Sequence, residues 1–441
     1  MSRMAPIDAE AYWLASKTHS DQFLLFAFDA AESDADVLHA DLVVRARRIP
    51  DLNLVVRETF ANLDYPYWVP AQVQPSQIAV RALREPTWQH CLDDVASLIA
   101  EPLDPRSAAW RIHLYPTVVD LPDGPASAIV AVLQISHALA DGRGATTLAR
   151  QLFGTRPECQ IGSRPDAVGP VAAAVHGAAR LPIQLGATAL RGWRAFQLSD
   201  DDPAGPVPVA PGPLNVTPDD DRQLRVVVVD AARLRIGPHG VTVGAIVAIS
   251  GALVDAGLVE DGERLVVELT IGRDEDGQAR NNFHTAAVDT HTDIADRRRR
   301  ADAVAASIAD ARRRDAAPGR VASRFATAAT PAFLMRWGTS AFDPTMRSAM
   351  VTGHTVVSSV NRGPADLEFG GGRVRFTTGF PALSTMQGVT HGVHGIGSRI
   401  ALSVTTSRRV LPDIDGYVAA LGRVGVGRAE PNLLHTGECD E

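Results

Sequence analysis

Lysine is all but missing from this chain: among 43 basic residues, Lys17 is the only lysine. Schiff-base chemistry and the phosphate-cradling lysine of a P-loop are thereby excluded, since Lys17 sits in no Gly-rich or strand-end context. The richness in Arg, Ala and Val that goes with this reads as codon bias from a GC-rich genome. Cysteine is scarce too. Cys91, Cys159 and Cys439 are too few and too irregularly spaced for a disulfide framework or a CxxC metal site, so a reducing interior is expected. No apolar run reaches the roughly 18 residues of a membrane span. Acidic residues break the opening MSRMAPIDAEAYW, where a signal peptide needs uninterrupted apolarity, and a soluble, cytoplasmic protein is expected. Positive charge is not in excess either, and a net charge of -8 argues against a nucleic-acid partner.

What is present is ordinary globular material: 441 residues, 45% hydrophobic and 21% charged, enough for two cores. Val37, Leu38, Leu42 and Val43 at helical spacing predict a helix over 34–48. Segments 53–58 and 76–83 read as short strands, and 87–103 as a helix ending before Pro105. Two apolar runs, 111–119 and 126–135, flank the turn sequence LPDGP and predict a β-hairpin. A helix follows Gly144, and the Ala-rich stretch 166–198 predicts two helices broken at Pro182. Residues 199–222 are a linker, rich in proline and aspartate, with too little apolar content to pack. Beyond it come strand 224–229, helix 241–256, strand 264–271, helix 294–314, two more strands and a helix over 414–424. Two α/β lobes of similar size are expected, 1–198 and 223–441, joined by 199–222. No internal repeat is visible.

The sharpest chemical feature is IVAVLQISHALADGRGATTL. A buried strand ends in Ser136-His137, Asp141-Gly142 follows, and a helix begins. A histidine at a strand mouth can keep one nitrogen in a cleft while the backbone holds the other, and its pKa near 6.5 suits a general base. Gly142 and Gly144 would allow a tight turn through positive φ, with Asp141 tying it down. Taken alone, such a histidine serves structure more often than chemistry, and an Asp before Gly is usually a turn residue. Ser136 is no nucleophile for His137, because adjacent strand residues point to opposite faces, and no GxSxG elbow exists.

The segment from Ser136 to Gly142 resembles the HHxxxDG signature of CoA-dependent acyltransferases and condensation domains, with Ser136 at the first His position. Further segments resemble the wax ester synthase/diacylglycerol acyltransferase branch, in the right order. MAPIDA resembles its SPLDA opening, Val241 to Leu253 its TVNDVVLAAVAGAL helix, and ELTIGRDEDG its PVSLR strand. NNFHTAAVDTHTDIADRRRRADAV resembles its GN…LPT…DPxxR segment, and SSVNRGPADL its SNVPGP.

The resemblance implies two chloramphenicol-acetyltransferase-like lobes with an active-site tunnel between them, entered by thioester and acceptor from opposite faces. It implies that His137 deprotonates a hydroxyl or amine, which attacks a thioester carbonyl without a covalent acyl-enzyme. The acyl donor would be an acyl-CoA or an acyl carrier protein, with no further cofactor. Asp141 would form a salt bridge with Arg273, Gly142 would be structural like them, and Ser136, Ser359 and Asn361 would be tunnel candidates. Two departures stand out: Gly244-Ala245 replace an Asn-Asp pair, and Asn361-Arg362 replace Val-Pro. They leave open a second reading, a degenerate member that binds a small hydrophobic molecule or catalyses something other than acyl transfer.

Three smaller features give no site. His391 and His394 are spaced for a helix that their glycines oppose, so no metal pair is expected. Arg297 to Arg300 read as a solvated helix start salt-bridged to Asp293, Asp296 and Asp302. Gly370 to Gly372 read as a hairpin turn.

Overall fold

The computed structural model describes residues 2–30, 34–154, 169–273 and 279–425. Cys159, Cys439 and the start of the Ala-rich stretch, 166–168, lie outside the described residues. The chain runs β1 (Ser2–Arg3), α1 (Pro6–Thr18), β2 (Gln22–Asp29), α2 (Ala35–Arg48), β3 (Leu54–Arg57), β4 (Tyr67–Pro70), β5 (Ile78–Val80) and α3 (Trp88–Leu98). The hairpin of β6 (Trp110–Val118) and β7 (Ala128–Ile135) leads into α4 (Gly142–Phe153) and α5 (Pro170–Ser199). Then come β8 (Arg222–Asp230), α6 (Ala231–Leu234), α7 (Val241–Asp255), β9 (Val266–Gly272), β10 (Phe283–Asp289) and α8 (Arg297–Asp315). Helices α9 (Pro318–Ala329) and α10 (Ala332–Ala341) precede β11 (Thr355–Asn361), β12 (Glu368–Phe369) and β13 (Gly372–Gly379). The hairpin of β14 (Thr390–Ile396) and β15 (Arg399–Ser407) and the helix α11 (Ile414–Gly425) complete the described chain.

The expected mixed α/β class is observed, organised by two six-stranded sheets. Their orders are β12-β13-β2-β7-β6-β5 and β10-β9-β11-β14-β15-β8. Strand β7 is buried from end to end because it is central and apolar on both faces. On one face Ile129, Ala131 and Leu133 pack with Phe26 and Phe28 of β2 and Phe153 of α4. On the other, Val130 and Val132 join Trp88 and Leu92 of α3 with Leu224 and Val226 of β8. That second cluster fuses the two sheets through one apolar layer.

Several expectations change. The stretch around Pro182 is one helix, α5, with the proline inside it. Packing along α9 compensates for the missing bond: Thr188 Oγ1 donates to Ala329 O and Arg191 Nη1 to Phe325 O. The segment 199–222 carries only a single helical turn, Pro213–Asn215, between α5 and β8, yet it is packed. Val209 pairs with Val351, Leu214 is buried, and the Asn215 amide donates to Gly353 O, His354 O and Met386 O. One buried side chain that satisfies three carbonyls is invisible to a count of apolar residues. Among the described residues five strands follow α8 rather than two. The last departure is topological: β13 leaves the second half and pairs antiparallel with β2 in the first sheet.

Candidate active site

Strand β7 delivers Ser136 and His137 to the end of the first sheet, and Asp141 caps the start of α4 by accepting from Gly144 N (2.8 Å). His137 lines a cavity of about 1050 Å³ whose wall comes from both sheets, including Leu24, Thr270, Ser358 and Val393. Its ring is flanked by Phe283 at 5.9 Å between centroids. Thus the motif opens onto a space between the two halves.

The segment 280–282 clasps the motif loop. Asp141 N donates to Arg280 O (3.1 Å), Arg280 Nη1 donates to Leu139 O (3.1 Å), and Asn282 N donates to Asp141 Oδ2 (3.0 Å). Arg280 also pairs with Asp51 (2.6 Å). Asn281 reaches the histidine itself. Its Nδ2 donates to Asp8 Oδ1 (3.0 Å) and to His137 O, so its Oδ1 is the atom that faces His137 Nδ1 at 3.3 Å. An oxygen there can only accept, which makes Nδ1 the protonated nitrogen and leaves the Nε2 lone pair free. Asp8 is 1% exposed and further accepts from Arg280 N and Asn281 N. Burial raises its pKa, against those three hydrogen bonds and the Arg280 charge. Burial likewise lowers the pKa of His137, opposed by the Asn281 bond and the Asp141 charge, so the neutral imidazole is favoured.

The sequence placed His137 at a strand mouth facing a cleft, but its second nitrogen is held by Asn281 and not by the backbone. Asp8 and Asn281 were within reach of the sequence, since both lie in the segments resembling SPLDA and GN. Nothing local assigned them a role. The expected Asp141–Arg273 salt bridge is not formed. Asp141 spends both oxygens on backbone N–H groups, while Arg273 pairs with Asp315 (2.9 and 3.0 Å) and donates to Phe283 O. The reason is geometric: Arg273 turns toward α8, and the carboxylate of an N-cap points into its own helix.

Gly142 and Gly144 do not take positive φ. Their use is steric. A Cβ at Gly142 would stand 3.3 Å from Val360 Cγ2 of β11, and one at Gly144 would stand 3.0 Å from Ala140 Cβ. Of the tunnel candidates, Ser359 and Asn361 line the cavity. Ser359 Oγ is 2.8 Å from Thr242 Oγ1, and Asn361 Oδ1 accepts from Gly363 N. Ser136 does not: it is fully buried and its Oγ accepts from Ala138 N.

The absent Asn of the Asn-Asp pair has a packing cause. A Cβ at Gly244 would fall 1.5 Å from Leu234 O, because α7 crosses α6 with no room for a side chain. His391 and His394 stand on β14 rather than on a helix, three residues apart and therefore on opposite faces. The His391 nitrogens are engaged by Thr355 (3.0 Å) and Tyr417 (2.7 Å). Arg300 is not solvated as expected; it turns inward to Thr290 O and Ser250 Oγ.

No curated protein sequence matches the chain. Among solved structures, it is similar to the wax ester synthase/diacylglycerol acyltransferase from Marinobacter aquaeolei VT8, at 16% identity and a TM-score of 0.60, covering 96% of this chain and 98% of that one. The trichothecene 15-O-acetyltransferase TRI3 from Fusarium sporotrichioides follows at 13% identity and 0.57, covering 96% and 94%. A starter condensation domain of rhizomide synthetase, in complex with C8-CoA and Leu-SNAC, gives 13% and 0.51, covering 96% and 93%. These likenesses establish the shared two-lobed acyltransferase fold. The model of the wax ester synthase/diacylglycerol acyltransferase catalytic domain matches residues 4–319, and that of the WS/DGAT C-terminal domain matches 280–423. The chain therefore belongs to the wax ester synthase/diacylglycerol acyltransferase family and is an acyltransferase.

Proposed function

We propose that the acyl group arrives as a thioester of CoA or of an acyl carrier protein and leaves on a hydroxyl or amine, with His137 as general base. The observation that carries this reading is the Asp8–Asn281–His137 chain, which presents a free Nε2 to a cavity lined from both halves. Nε2 takes the proton from the acceptor as its oxygen or nitrogen attacks the thioester carbonyl. The tetrahedral adduct then collapses, the C–S bond breaks, and the imidazolium returns the proton to the leaving thiolate. No acyl-enzyme is needed, because the acceptor attacks the thioester directly, and Ser136, buried away from the cavity, takes no part. None of the described helices is long and apolar enough to cross a membrane, and we place this activity in the cytoplasm.

The test is a panel of acyl-CoAs and acceptors with detection of released thiol. His137→Ala should keep the fold, since the ring faces the cavity, and lose about 10²–10⁴-fold in turnover. Ser136→Ala should be far milder. A His137→Ala enzyme working at the wild-type rate would end the assignment and favour the degenerate-fold reading.

A further inference from the structure

Arg362 follows β11 and lines the same cavity as His137, yet the transfer step above has no use for it. Its side chain is buried, 3% exposed as a residue. Nε and Nη1 are sealed from solvent without an acceptor among the described residues. The guanidinium lies over the Phe26 ring at 5.2 Å, and His394 sits beside it, buried, with Nδ1 also unpaired. Two glycines make room for the pair. A Cβ at Gly379 would stand 3.0 Å from Arg362 Nη2 and 3.1 Å from His394 Cε1, and one at Gly392 would stand 2.5 Å from that same carbon.

A cation withdrawn from water without a counter-ion is among the costliest arrangements a protein can hold. Burial lowers the pKa of Arg362 to about 9, with no acidic neighbour acting against it, so it stays charged at pH 7. The Phe26 face compensates only a small part of that cost. An anion entering the cavity would compensate the rest through a charge-assisted hydrogen bond to Nη2, the guanidinium nitrogen that is not sealed.

We infer that Arg362, with His394 at its side, is a carboxylate-binding subsite of the acyltransferase cavity, so that one of the two substrates carries a free carboxylate. A single carboxylate neutralises a single buried cation, whereas a phosphate dianion would leave one charge uncompensated beside Phe26 and the buried His394. The carboxylate can come in on the acceptor, as a hydroxy or amino acid, or on the acyl group, as the half-thioester of a dicarboxylic acid. The inference rests on the acyl-transfer reading for the substrates' identity, but the binding itself does not require turnover.

Isothermal titration of wild type, His137→Ala, Arg362→Met and Arg362→Gln separates these. The acceptor arm compares 12-hydroxydodecanoate with its methyl ester, and the donor arm compares glutaryl-CoA with valeryl-CoA. In one arm, wild type and His137→Ala should bind the carboxylate roughly 30-fold or more tightly than its neutral counterpart. Both Arg362 variants, at matched circular dichroism, should lose that preference. The arm that responds identifies the carboxylate's source. Because His137→Ala binds without turning over, the preference can stand even if the acyl-transfer reading fails. The inference is overturned if neither arm shows a preference, or if the Arg362 variants retain it. It is overturned too if those variants slow charged and neutral substrates alike with binding unchanged, since Arg362 would then serve the reaction's oxyanion.

Discussion

In the proposed mechanism His137 depends on two neighbours outside its own motif. Asn281 selects the tautomer and Asp8 orients Asn281, a chain that spans 273 positions between its first two members. Asn281→Ala should therefore lower kcat by roughly 10²-fold while leaving KM nearly unchanged, within the 10²–10⁴ range of general base catalysis. The pH profile gives a sharper test. Burial lowers the His137 pKa, so the basic form persists below pH 6.5, and kcat/KM should fall only as pH drops through that lowered value. Asn281→Asp would put a carboxylate against Nδ1, favour the imidazolium and move that acid limb upward. A profile that does not move would reduce Asn281 to a packing role. At this scale the sequence exposed the residues and hid their relations: SHALADG marks His137, whereas MAPIDA and NNFH are ordinary until the fold brings Asp8 and Asn281 to it.

Elements carry the next set of consequences. Asp141 caps α4 and holds Asn282 N, so Asp141→Ala should lose about 1–2 kcal/mol for the cap and more for the freed Asn282 N–H. Since Arg273 pairs with Asp315 instead, the stability effects of Asp141→Ala and Arg273→Ala should add within about 0.5 kcal/mol in a double-mutant cycle. Coupling of several kcal/mol would restore the salt bridge that the family resemblance implied. Gly244→Asn, which brings back one family residue, should cost more stability than ordinary overpacking, about 1–3 kcal/mol, and lower the melting temperature, because the new Cβ meets Leu234 O and α6 must move. Helix α2, the β6–β7 hairpin and α4 were legible because their periodicity and turn chemistry are local. The unbroken α5 was not, because α9 holds it through Pro182.

For the whole molecule, buried histidines link stability to pH. Burial holds His113 at about 4 and His391 at about 3, against about 6.5 in the unfolded chain. The unfolded state therefore binds protons first, and stability contributed by each ring is full above pH 6.5 and lost as pH falls toward those values. The slope is up to about 1.4 kcal/mol per pH unit per ring. Buried Asp8, Asp21 and Glu268, whose pKa values burial raises, act in the opposite sense. Comparison of wild type with His391→Gln isolates one ring: the variant's stability, measured by denaturant titration between pH 7 and 5, should decline less steeply. We propose that the lobe boundary lies within 199–222, with β12 and β13 crossing back into the first sheet. By itself the sequence determined the mixed α/β class, the strand–turn–helix around His137 and the family, since periodicity, capping residues and short motifs are properties of neighbours along the chain. Only the tertiary structure decided which groups Asp141 and Arg273 hold, which His137 nitrogen is free, where β13 pairs and that Arg362 is buried without an acidic partner among the described residues. Each of these depends on which distant residues compete for the same hydrogen bond or the same space, and that competition exists only once the chain has closed on itself.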